Sequence, residues 1–127
     1  MKVDKIITLI KERVGSNSEL PGWKSHKKMA VIPINSITEK AFIPPKDAKQ
    51  ASVSIILFEE NNQLFFLLTK RTNNVEHHKG QVSLPGGAID KNETAKNASL
   101  RETNEEIGID SSTLKSLGQL SSLYTPV

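Results

Sequence analysis

Between Gly87 and Ile109 the chain places Glu93, Arg101, Glu102, Glu105 and Glu106 ahead of Gly108, and no other stretch restricts its fold as tightly. On a helix Glu102 and Glu106 stand at i and i+4, and Glu102 and Glu105 at i and i+3, so three carboxylates project from one face. Two like charges ~4 Å apart, at an effective dielectric of ~20, repel by about 4 kcal/mol before solvent relaxes the field. A solvated acidic face would have to tolerate that repulsion, whereas a hard divalent cation removes it. A few carboxylates completed by waters and phosphate oxygens make the octahedron that Mg²⁺ or Mn²⁺ requires. The neighbouring residues favour the cation. Pro85-Gly86-Gly87 reads as a tight turn in which a backbone carbonyl can approach a metal. Glu93 can reach Arg101 across the loop-to-helix junction as a charge-assisted pair. The spacing predicts a helix over 94–107, with Asp90 and Glu93 placed as a capping box and Gly108 as its stop.

The rest of the chain divides near Ala51. Val3, Ile6, Ile7, Ile10 and Val14 recur at helical spacing ahead of Gly15, which predicts an amphipathic helix over 3–14. Residues 15–50 hold Gly22, Pro21, Pro33, Pro44 and Pro45 and read mostly as loop, with Met29–Ile34 as a short strand and Trp23 as a packing anchor. Ser52–Phe58 and Leu64–Lys70 are β-branched or apolar runs joined by a polar loop, the pattern of a β-hairpin. Thr72–Lys79 is polar, and Leu114–Leu123 is a weaker strand candidate. These features divide the chain into an N-terminal helix and basic loop extension over 1–50 and a second domain over 51–127.

Composition removes several functional classes. A chain of 127 residues has room for one main core, and without cysteine it has neither a disulfide framework nor a thiolate zinc site. Its apolar runs are too short for a membrane span or a signal peptide, so a soluble, cytoplasmic protein is expected. Residues 1–50 carry ten Lys/Arg against five Asp/Glu, and residues 51–127 seven against nine. The lysines are scattered and no aromatic residues alternate with them, which argues against nucleic acid as a partner. A basic rim that attracts an anionic substrate remains compatible with the pattern.

The residues Gly87-x5-Glu93-x7-Arg101-Glu102-Thr103-x-Glu105-Glu106-x-Gly108-Ile109 resemble the Nudix box. Thr103 stands where that family prefers an aliphatic residue; every other fixed position agrees. The resemblance implies an α/β fold, an α/β/α sandwich with a mixed sheet, and metal-dependent hydrolysis of a nucleoside diphosphate linked to another moiety. It further implies that Glu102 and Glu106 bind Mg²⁺ or Mn²⁺, with Glu105 and the Gly87 carbonyl as further ligands. Glu105 is the candidate to take the proton from the attacking water. Arg101 and Glu93 complete the catalytic group in supporting roles.

Upstream, Leu67-Leu68-Thr69-Lys70-Arg71-Thr72 and His78-x-Gly80-Gln81-Val82-x-Leu84-Pro85-Gly86-Gly87 resemble the signature of the coenzyme A diphosphatases within that family. This implies cleavage of coenzyme A or a derivative into 3′,5′-ADP and 4′-phosphopantetheine, with Arg71, His78, Lys79 and Gln81 as candidate substrate contacts. Thr72 and Leu84 depart mildly from the signature, and Glu76 stands where it has an arginine suited to a phosphate. The alternatives are a Nudix enzyme acting on ADP-ribose, a dinucleotide or a nucleoside triphosphate, and a Nudix-like domain that binds without catalysis. Members of the family continue past the point where Tyr124-Thr125-Pro126-Val127 stands. The expectation is therefore a fold incomplete at its C-terminus, a fragment, or a chain that needs a homodimer or another partner to complete it.

Overall fold

A computed structural model describes residues 3–15, 19–29, 43–72 and 80–125. The described residues form two compact units, one drawn from 3–48 and 116–127 and the other spanning 49–115. No helix among them is long and apolar enough to cross a membrane.

The first unit is built on helix α1 (Val3–Val14), which has the predicted bounds because its apolar residues recur on one face and Gly15 closes it with an N–H···O bond of 2.8 Å to Lys11. Asp4 in its first turn and Lys11 and Arg13 in its last complement the helix dipole. A single-turn helix, α2 (Trp23–His26), follows inside the expected loop, with Trp23 half-buried at its start. The backbone N–H of Gly22 donates to Ser121 Oγ at 3.1 Å, and Gly118 lies so close to Val14 that a side chain there would collide with it. The strand expected at Met29–Ile34 falls from residue 30 onward outside the described residues; Met29 itself is in a turn.

The second unit holds the remaining elements: β1 (Ala51–Val53), β2 (Leu57–Glu60), β3 (Gln63–Phe66), β4 (Thr69–Lys70), β5 (Val82–Ser83), β6 (Gly86–Ala88) and helix α3 (Ala95–Ile107). It has the α/β character expected from the sequence, with β1–β6, β2–β3 and β4–β5 as antiparallel pairs. The expected hairpin is present as β2–β3, closed by Asn61 and Asn62 at φ 51° and 59°, the pair of left-handed residues that a type I′ turn requires. Phe58 and Phe65 sit directly opposite each other there and stack at 5.6 Å between centroids.

The run Ser52–Phe58 is not one hairpin arm. Residues 50–54 pair with 85–89, and residues 56–60 pair with 63–67. A period of two specifies a strand but not its partner, and the run changes partner across 54–56, between β1 and β2. Two further expectations are corrected. Gly86 and Gly87 lie in strand β6, after a bend at Pro85, rather than in a turn. Residues 114–125 form no strand; after a 3-10 turn at Ser111–Thr113 they run without regular secondary structure.

Helix α3 packs on β1 and β6. Its closest approach is marked by Ala98 and Thr103, both fully buried, which together with Ile56 and Pro85 are the most enclosed residues of this unit. Thr94 is the N-cap, its side chain accepting from the Asn97 N–H at 3.2 Å, so the cap is four residues later than the Asp90 that sequence spacing proposed. The Asp90–Glu93 pairing nevertheless forms: the Asp90 N–H donates to Glu93 Oε2 at 3.1 Å, as half of a capping box would, inside the preceding turn. Gly108, at φ 70°, ends the helix as expected.

Candidate active site

The site is organised by Arg101, two turns into α3. Its guanidinium is bidentate to Glu93, with Nε to Oε1 at 3.1 Å and Nη2 to Oε2 at 3.0 Å. Nη1 reaches Glu102 Oε1 at 2.8 Å and Glu105 Oε2 at 3.3 Å, while Nη2 also donates to the Ala88 carbonyl on β6 at 3.0 Å. Asp90 completes the ring at 3.7 Å. The fork geometry explains why arginine stands here: its planar donors grip Glu93 at two points while others reach Glu102 and the Ala88 carbonyl, a two-point pairing that an ammonium lacks. The predicted Glu93–Arg101 pair is therefore present, joined by Asp90 and the Ala88 carbonyl, which spacing on a helix gives no means of finding.

The electrostatics follow from this crowding. Hydrogen bonding from Arg101, then from the Asp90 N–H, holds the Glu93 carboxyl below its ordinary value of 4.5. The guanidinium is in turn held firmly charged, by Glu93 first and Glu102 second. One cation among four carboxylates leaves a net excess of three negative charges, before Glu106 is counted.

Strand β6 lies against the carboxylate face. The Gly86 N–H donates to Glu106 Oε2 at 3.1 Å. A Cβ on Gly87 would lie 2.5 Å from both Cδ and Oε1 of Glu102, so the absence of a side chain is what admits that carboxylate. Glu102 is largely enclosed, with 17% of its side chain exposed, whereas Glu105 is 57% exposed.

Whether these residues suit a divalent cation can be judged from the donor set. It consists only of oxygens, carries excess negative charge, and has two carboxylates already converging on one positive nitrogen at Arg101. Those properties fit a hard ion such as Mg²⁺ or Mn²⁺. Among the described residues no three acidic or histidine side chains are gathered into a ready-made cage, since Glu106 faces the Gly86 amide while Glu102 and Glu105 share Arg101.

Of the four candidate substrate contacts, Arg71 and Gln81 meet just past the β4–β5 ladder, at the end from which the connecting segment leaves, the Arg71 N–H donating to the Gln81 carbonyl at 2.9 Å. Both are exposed, and among the described residues no ion pair joins Arg71 to Glu59 or Glu60. His78, Lys79 and Glu76 lie outside the described residues. Ser54 is the residue that sequence reading missed: it touches α3 and the Pro85 carbonyl together, and only the tertiary fold brings these near it.

Residues 48–127 match the model of the NUDIX domain. The chain is 36% identical over 98 residues to Nudix hydrolase 3 of Caenorhabditis elegans, an alignment covering 76% of this chain and 40% of that protein. It is 42% identical over 66 residues to Nudix hydrolase 15, mitochondrial, of Arabidopsis thaliana, covering 50% and 23% respectively. It is 37% identical over 78 residues to the Klebsiella aerogenes protein named "Uncharacterized Nudix hydrolase NudL", covering 61% and 64%. The chain thus spans less than two thirds of the length of each of these relatives. No solved structure matches it.

Proposed function

With a NUDIX domain over residues 48–127, the chain belongs to the Nudix hydrolase family, and from that premise we propose that it hydrolyses a nucleoside diphosphate linkage, that of coenzyme A or its derivatives in the first place. The observation that carries this reading is the gathering of Glu93, Glu102 and Glu105 on Arg101 against β6, with Glu106 on the Gly86 amide.

Glu102 and Glu106, with Glu105 and the Gly87 carbonyl, are the groups that would hold Mg²⁺ or Mn²⁺. Such a cation supplies charge neutralisation for the diphosphate and a more acidic water. The remaining work belongs to the side chains. Glu105, the most exposed carboxylate in hydrogen-bond contact with Arg101, takes the proton of the attacking water. Arg101 holds Glu102 in place beside Gly87, and Glu93 fixes Arg101 through its two-point contact. Arg71, His78, Lys79 and Gln81 contact the substrate.

The coenzyme A assignment is supported by the stretch from Leu67 to Gly87, whose Arg71 and Gln81 lie opposite each other just past β4–β5. Glu76, in place of a phosphate-binding arginine, favours a second reading: ADP-ribose, a dinucleotide or a nucleoside triphosphate. A substrate panel with Mg²⁺ and Mn²⁺, read out by product identity, tests both. Release of 3′,5′-ADP from coenzyme A supports the first reading. AMP from ADP-ribose with coenzyme A left intact rejects it in favour of the second, and no turnover of any member rejects both.

A further inference from the structure

Thr103 is a fully buried hydroxyl within the carboxylate stretch of α3, on the side that packs against the 51–54 segment, where apolar side chains are the usual occupants. Burying a hydroxyl is unfavourable unless it finds a partner. Here the partner is specific: Thr103 Oγ1 donates to Ser54 Oγ at 3.2 Å, and Ser54 Oγ donates onward to the Ser99 carbonyl at 3.3 Å, one turn earlier on the same helix. Ser54 also faces the opposite way through its backbone, donating its N–H to the Pro85 carbonyl at 2.9 Å. The next residue, Gly86, donates its N–H to Glu106 Oε2, and Glu106 lies three positions beyond Thr103. These bonds close a ring that runs from α3 to the strand segment, on to the Pro85–Gly86 bend, and back to α3.

We propose that Ser54 and Thr103 are positioning residues for the carboxylate site: their hydrogen bond sets the distance of the Pro85–Gly86 bend and of β6 from Glu106 and Glu102. An apolar side chain at 103 would fill the same volume but would leave α3 free to slide along β1 and β6, because apolar contact is not directional. The hydroxyl pair fixes one register. The proposal rests on reading Glu102 and Glu106 as the cation-holding pair only for its catalytic consequence; its structural half stands on the ring of bonds.

Thr103→Val, nearly isosteric, removes the Thr103–Ser54 bond while Ser54 keeps the Ser99 carbonyl as its acceptor. Thr103→Ser restores the hydroxyl. Two measurements are made on each variant and the parent: hydrogen exchange of the Gly86 amide in metal-free protein, and Mn²⁺ affinity by electron paramagnetic resonance of the free ion. In Thr103→Val the Gly86 amide is expected to exchange about tenfold faster and Mn²⁺ to bind about tenfold more weakly, with Tm not lowered. Thr103→Ser is expected to return both towards the parent, and neither change would accompany a purely space-filling role. Ser54→Ala, at a half-buried position just after β1, makes the same exchange and Mn²⁺ predictions from the other side of the pair and serves if Thr103→Val does not fold. The proposal is overturned if a folded Thr103→Val or Ser54→Ala keeps Gly86 exchange within twofold of the parent, or if Thr103→Ser behaves as the valine does. Glu102→Gln and Glu106→Gln are assayed alongside. If neither weakens Mn²⁺ binding, the metal reading fails by itself, and the Gly86 exchange still decides the positioning claim.

Discussion

Gly86 and Gly87 are neighbours on one short strand, and replacing each with alanine is expected to do damage of a different kind. At Gly87 a new Cβ would lie 2.5 Å from Glu102 Cδ and Oε1 and 2.7 Å from Oε2, against an ordinary contact of at least 3.4 Å. The carboxylate must retreat by about 0.9 Å, and it can, because it is the far end of a flexible side chain; leaving its rotamer well costs about 1 kcal/mol. That retreat takes Glu102 off Arg101 Nη1, now 2.8 Å away. A displacement of this size in a group that positions reactants costs about 100-fold in rate, or about 2.7 kcal/mol of barrier. At Gly86 the new Cβ would meet the Ser52 carbonyl oxygen and come within 2.6 Å of the Val53 Cα. These are backbone atoms of the paired strand and cannot rotate away, so β1 and β6 must separate, at about 2 kcal/mol. In a unit of this size that is a Tm loss of roughly 8–16 °C. Thermal melts together with metal-dependent hydrolysis of the substrate identified in the panel therefore separate the two variants: Gly87→Ala should lose turnover with a melting loss of only roughly 4–8 °C, and Gly86→Ala should lose about twice as much in melting point as well as turnover. Turnover of Gly87→Ala within threefold of the parent, or a melting loss as large as that of Gly86→Ala, would refute this account of why glycine stands at 87.

Glu102→Gln and Glu106→Gln are each expected to abolish metal-dependent turnover while circular dichroism stays unchanged; near-parental rates in either would remove it from the metal site. Acid sensitivity should trace to Glu93. Its carboxyl titrates below its ordinary 4.5 in the folded chain, so the folded state binds that proton less readily than the unfolded one. The stability it contributes is therefore complete above about pH 4.5 and lost as pH falls through the depressed value. Urea unfolding across this range should show a shallower acid limb in Glu93→Gln, and an unchanged slope would sever the link. Asp110, lowered by its bond from the Ser112 N–H, contributes in the same direction and should persist in that variant. Thr94→Ala should cost about 1 kcal/mol through loss of the N-cap bond to Asn97, read as a lower urea midpoint at an unchanged slope.

How much of this was legible before the structure depends on the range of the force concerned. Helix α1 and the body of α3 follow from periodicity and from glycine at the C-terminal end, which act within a few residues, and both lie where the pattern placed them. The Glu93–Arg101 contact was also within reach, being eight positions apart around one junction. The capping assignment failed because Asp90 and Thr94 are both good caps in sequence, and the preceding turn claimed the first. The partner change across 54–56 was invisible because alternation along a strand carries no information about what lies beside it. Thr103 looked like a blemish in an otherwise regular motif. Its hydroxyl acquires a purpose only from Ser54, 49 positions away, and no local rule connects two such residues.

The run that pairs with two different partners also dictates an order of assembly. Its second half meets β3 across a two-residue turn, a local closure of the kind that takes roughly 1–10 μs. Its first half must wait for β6, since Ala51 finds Ala88 only after a loop of about 37 residues has closed, at a larger entropic cost. The hairpin therefore serves as the seed, and the carboxylate face is the last part of the unit to be made. Pulse-labelled amide exchange that protected Ser52, at a hydrogen-bonded position of β1–β6, before Phe58, at one of β2–β3, would contradict this order. By the same logic the β1–β6 seam should be the first of the two to open under denaturant, so that exchange of the Gly87 amide should speed up before the Phe58–Phe65 stack is lost.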